Sequence, residues 1–215
     1  MRLIVKQSMA PESYVSFLTH NNPRDWDKDV PAEMKKFVRE NILAVEQFMY
    51  SAYTEKRLGF DDKGLHVDHF RKQSLFPSPK FVFDWNNFFV DKHEVFYGAD
   101  FKDNGKSTPV KSVSDYDYII NPSEEDPHHY FCYSADGCIC ARSGLTIDER
   151  KRAIFTIAAF NLCHPSLVAE RSSIFAMVTD MKNGGCTPQE ILDCLSGNSY
   201  PSVVEYCCNE IFDEL

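Results

Sequence analysis

His66-Val67-Asp68-His69 decides how this chain is understood, because it sets a carboxylate directly beside an imidazole. On a strand running into a loop, adjacent side chains point to opposite sides. Asp68 is then free to hold a hard cation while His69 faces elsewhere and takes a proton. Metal-assisted cleavage of a phosphodiester needs that division. A divalent ion stabilises charge on the phosphate and the leaving oxygen, and a neutral imidazole deprotonates water. Four residues make a weak signal alone, so their surroundings matter.

Around the stretch, short apolar pieces alternate with Gly59, Asp61-Asp62, Gly64, Pro77, Pro79, Gly98 and Gly105. This predicts strand, loop and strand, followed by something helical near Trp85–Val90. Upstream, Met34, Phe37, Val38, Ile42, Val45, Phe48, Met49 and Ala52 recur at helical steps, predicting one helix from Pro31 to about Arg57. Residues 1–30, punctuated by Pro11 and Pro23, read as irregular.

Downstream, Tyr118-Ile119-Ile120 and Tyr130–Tyr133 read as short strands, and Asp136-Gly137 as a hairpin turn. Thr146–Glu149 reads as a capping box, Pro165 opens a second helix ended by Gly184-Gly185, and Thr187–Glu190 opens a third. A last helix is expected from Ser202 to Leu215, with Val203, Val204, Cys207, Cys208, Ile211, Phe212 and Leu215 on one side. That stripe is expected to dock on the protein's own core. The fold class is α+β, mainly helical.

The 215-residue chain is 43% hydrophobic and 26% charged, as expected of a globular protein. No apolar run approaches the roughly 20 residues of a membrane span, and the first residues carry no secretory leader, so the cytoplasm is the expected compartment. Eight cysteines begin only at Cys132 and form no CxxC pair, which argues for reduced thiols, most of them buried, rather than a four-cysteine zinc site. GxSxG and GxxxxGK[ST] are absent, so any nucleotide control has to come from a partner. A net charge of −9 is unlike a protein that grips nucleic acid unaided.

Three strings in order, His66–Lys72, Phe83–Phe88 and Asp103–Lys106, resemble an HNH endonuclease. More narrowly they resemble the PtuB family, the HNH component of Septu and of some retron defence systems in bacteria. The stretch Tyr118–Pro127 is similar to that family's "IDP…DDP" segment, and Arg150, Thr156, Ile157, Asn161, Leu162, Leu167 and Arg171 fit its later helical pattern. The likeness covers about residues 40–175.

The resemblance implies an HNH ββα-metal core over residues 58–110. This core would be embedded between an N-terminal extension and helix (1–57) and a hairpin with a C-terminal helical region (111–215), all in one compact domain. His69 matches the general base and Asp68 the first metal ligand. Asn87 matches the asparagine that ties the loop and orients the base. Asp103 matches the last ligand position, with Lys106 three residues on as a further catalytic residue. Asp100, Asn104 and His66 are alternative ligands.

Arg71, Lys72 and Lys102 are the expected nucleic-acid contacts, with Lys106 and Lys111 nearby. The implied cofactor is a divalent ion, Mg2+ ahead of Mn2+ or Zn2+. The implied partners are a gating PtuA-like ATPase, in retrons a reverse transcriptase and a DNA–RNA hybrid, and a substrate of DNA or tRNA. The family's zinc-clamping CxxC pairs are missing where they would fall, at 57–62 and 96–100, so packing through Phe60, Trp85 and Phe96 is expected instead. The alternative is a catalytically degenerate HNH scaffold that binds and regulates a partner.

Overall fold

A computed structural model of the protein describes residues 1–214. Helices occupy both ends of the chain, and two small antiparallel strand pairs lie between them. The N-terminal region is more ordered than expected. It holds α1 (Glu12–Asn21), α2 (Trp26–Asp29) and α3 (Ala32–Asn41). Pro11 and Pro31 stand at helix starts, where a missing N–H costs nothing. Asp25 caps α2 by accepting from the backbone of Asp27 and Lys28.

The helix expected to reach Arg57 is cut short. After α3 the chain makes one π-helical turn (Ile42–Glu46), and Phe48 and Met49 then take left-handed φ values of 51° and 67°. Two buried polar side chains explain the break. Glu46 accepts from the Trp85 indole (2.7 Å) and pairs with Lys6, while Gln47 exchanges hydrogen bonds with both backbone groups of Val90 (2.7 and 2.8 Å). A continued helix would turn these groups away from their partners and leave them buried and unpaired.

The centre of the molecule is an antiparallel pair, β1 (Leu65–His69) and β2 (Phe88–Lys92), running from Leu65↔Lys92 to His69↔Phe88. The connecting loop carries α4 (Pro79–Val82) and a 3-10 turn (Trp85–Asn87). Only that turn survives of the helix expected over Trp85–Val90. Phe88 already belongs to the strand, whose pleat sends Phe88 and Val90 into one core and Phe89 into another.

Next comes α5 (Gly98–Asn104), seated by Asp91, whose carboxylate accepts the Ala99 N–H at 2.9 Å. Gly98 has φ +74°, and a Cβ there would lie 2.5 Å from Asp91 Oδ2, so this corner requires glycine. Phe60 and Phe96 are 46% and 60% exposed, so the expected packing through them is absent and only Trp85 is buried. At the start of α5 a polar tie joins Asp91 to Ser51, whose hydroxyl lies 2.8 Å from that of Thr54.

In the C-terminal half, a 3-10 turn (Val113–Tyr118) replaces the strand expected at Tyr118–Ile120, and the Ile120 N–H goes to the Thr156 hydroxyl. Then follow α6 (Pro127–Tyr130), a hairpin of β3 (Phe131–Tyr133) and β4 (Ile139–Ala141) turning at Asp136-Gly137, and α7 (Ile147–Ala159). The chain continues through α8 (Pro165–Asn183), α9 (Pro188–Cys194) and α10 (Pro201–Asn209). The capping box expected at Thr146 with Glu149 forms, and further ones form at Thr187 with Glu190 and at Ser112 with Asp115.

The final helix is shorter than expected. Val203, Val204, Cys207 and Cys208 are buried in the protein's own core and Ile211 and Phe212 pack against it, while Leu215 lies outside the described residues. All eight cysteines are free, but only Cys207 and Cys208 are buried, and Cys140, Cys163 and Cys194 are exposed. Among the described residues no helix is long and apolar enough to cross a membrane.

Candidate metal and general-base cleft

The two faces of β1 divide the key residues as the pleat requires. Leu65 and Val67 point with His69 towards α2 and α3, whereas His66 and Asp68 point towards α5. His69 is buried edge-on against Trp26 and Phe88, with ring centroids 5.3 and 5.0 Å away. Its Nε2 lies 2.9 Å from the Val82 carbonyl and so carries the proton. This leaves Nδ1 with its lone pair, 3.3 Å from the Gln73 amide nitrogen. Burial holds the imidazole below the usual histidine value, against the Val82 carbonyl and Asp68, which favour protonation.

Asp68 is buried and accepts from the Tyr53 hydroxyl. Lys102, from α5, is fully buried and places its ammonium 3.4 Å from the Asp68 carboxylate oxygens and 2.9 Å from Asp103 Oδ1. It also donates to the carbonyls of His69 (3.0 Å) and Phe70 (2.9 Å). Burial pulls its pKa down, but the charges of Asp68 and Asp103 prevail and hold it above the ordinary lysine value. Lys102 was expected as a phosphate contact. With no surface it cannot be one, and it serves instead as an internal cation between two carboxylates. Burial pushes the Asp103 carboxyl up to about 6, opposed by Lys102 and reinforced by Asp68. Its Oδ1, though beside that ammonium, is buried without a hydrogen bond of good geometry.

Asn87 is buried and ties the loop twice. Its Oδ1 accepts from Arg71 N at 2.7 Å, and its Nδ2 donates to the carbonyls of Phe81 (2.9 Å) and Arg71 (3.2 Å). Phe81 precedes Val82, whose carbonyl orients His69, so this amide fixes the loop that sets the imidazole.

Asp68, His69, Lys72, Gln73 and Asp103 line one open cleft of about 280 Å³. Lys72, Ser74 and Asp103 continue into a second, of about 340 Å³, also lined by Lys106 and Lys111. Lys72 caps the end of α5 through the Asp103 carbonyl and Asn104 Oδ1. Arg71 pairs with Glu124 at 3.5 Å.

Asp100 lies outside the cleft of Asp68 and Asp103, whereas His66 borders it. Asp100 and His66 meet His93 one helical turn away, in a group that could hold a metal ion. Tyr53, Gln73, Asp91 and His93 were not singled out from the sequence. No motif marks them, and only the fold brings each to its partner. No protein-family model matches the chain, and no curated protein matches its sequence.

Proposed function

We propose that this chain is a metal-dependent HNH-type nuclease subunit of a bacterial anti-phage defence complex of the Septu or retron kind, cutting DNA or tRNA under the control of an ATPase partner. One geometric fact carries the proposal. The imidazole of His69 is oriented through Nε2, shares a cleft with the carboxylates of Asp68 and Asp103, and is held below the usual histidine value by its burial. Strand, loop, strand and helix assemble that cleft in the order an HNH core would require.

Two carboxylates are a donor set suited to a hard divalent ion. Asp68 and Asp103 would hold the ion, which when bound supplies Lewis-acid stabilisation of phosphate charge. His69 Nδ1 accepts a proton from water, and the loop held by Asn87 keeps the ring aimed. Lys72, Lys106 and Lys111 supply positive charge along the adjoining cleft, where a phosphate backbone can lie. A net charge of −9 leaves most of the grip to another subunit.

His69→Ala, introduced with its partners in cells, is the deciding test. Loss of phage protection and of nucleic-acid cleavage, with the complex still assembled, is expected. Unchanged protection would overturn the proposal. Sequencing the ends of cellular nucleic acids after phage challenge distinguishes DNA from tRNA.

One observation favours a second reading, a non-catalytic scaffold. The ammonium of Lys102 already supplies a positive charge between Asp68 and Asp103. Under that reading His69→Ala leaves protection intact, while substitutions that break the complex abolish it.

A further inference from the structure

We propose that His66, His93 and Asp100 form a binding site for a zinc-type transition-metal ion, distinct from the carboxylates of Asp68 and Asp103 but adjoining their cleft, which His66 also borders. His66 lies on β1, His93 directly follows β2, and Asp100 lies in the first turn of α5. Their ligand atoms all fall within 4.8 Å of one another. The two imidazoles are stacked, with centroids 4.2 Å apart and planes 9° from parallel, and each turns a nitrogen to a different oxygen of the same carboxylate. His93 Nδ1 is 2.9 Å from Asp100 Oδ2, and His66 Nε2 is 3.8 Å from Asp100 Oδ1. Tetrahedral coordination at zinc distances puts neighbouring donor atoms about 3.4 Å apart, between the two separations seen.

The outer contacts are those a metal site needs. Glu94 N–H donates to Asp100 Oδ2 at 2.9 Å, and the other nitrogen of His66 faces the Gly64 carbonyl at 3.4 Å. His93 is mostly exposed, and His66 and His93 both border an open cleft of about 330 Å³, so an ion has a way in. Two imidazole nitrogens and one carboxylate suit Zn2+, whereas Mg2+ prefers oxygen donors throughout. An ion here would tie together the two strands and the helix that carries Asp103.

The test uses the whole chain, stripped of metal with a chelator and titrated with zinc chloride against a chromophoric zinc indicator. Uptake of one equivalent is expected, together with a raised melting temperature, and excess Mg2+ should not compete. His93→Ala removes an exposed ring and should fold. It should weaken zinc binding by more than the roughly ten- to hundredfold that loss of an outer contact costs, and Asp100→Asn should do likewise. His69→Ala should retain the equivalent.

No zinc uptake by the wild type would overturn the site. So would undiminished uptake by His93→Ala that disappears on alkylating the exposed thiols of Cys140, Cys163 and Cys194. No cleavage is measured, so failure of the nuclease proposal would leave this result standing, and the reverse holds too.

Discussion

Lys102 concentrates the energetics of the cleft in one side chain. Its ammonium neutralises part of the charge on Asp68 and Asp103 and satisfies the carbonyls of His69 and Phe70, all without contact with water. Removing one partner from such a cluster strands the others, at a typical cost of about 3–5 kcal/mol. Lys102→Met should therefore destabilise the fold by about that much in urea denaturation, and adding Asp103→Asn should recover part of the loss. A change below about 1 kcal/mol would show that the cluster contributes little. Sequence exposed only part of it. Asp68, His69, Asn87 and Asp103 lie in short polar strings that chemistry makes conspicuous. Lys102 read as a surface charge, because its carboxylate partner Asp68 lies 34 positions earlier and only the fold brings it inside.

Elements followed the same rule at longer range. The starts of α7, α8 and α9 were legible because a capping box or an opening proline acts within three residues. The end of α3 was not, because Glu46 and Gln47 are claimed by Trp85 and Val90, about forty residues on. Between elements, Arg152 on α7 grips Glu125 through both terminal nitrogens, and the Tyr130 hydroxyl donates to the same carboxylate. The Arg152 hydrogen bonds hold the Glu125 carboxyl below its usual range, against burial and with help from Tyr130.

A carboxylate with a depressed folded pKa contributes stability above its unfolded value, near 4.3, and loses it as pH falls through the folded value. The stability difference between wild type and Glu125→Gln should thus hold at about 0.5–1 kcal/mol near neutrality. It should shrink in chemical denaturation below about pH 4. A difference that grows towards low pH would contradict this pairing.

At the scale of the whole molecule, the β1–β2 pair is a wall shared by two cores. Leu65, Phe88 and Val90 face the N-terminal helices, while Phe70 and Phe89 face the C-terminal ones. The helical ends and the strand-bearing middle were visible in the sequence, but the sharing was not, because alternation within five residues does not say what lies on either side. The pleat therefore behaves as a reading frame. Single substitutions on β1 alter one face at a time, but an insertion between Val67 and Asp68 would shift every later residue to the opposite side. Asp68 would turn towards Trp26, His69 towards α5, and both cores would lose their apolar wall together. Such an insertion should leave no cooperative thermal transition by circular dichroism, whereas Val67→Ile should keep one. For any lineage carrying this chain, β1 is then open to change by replacement and closed to change by length.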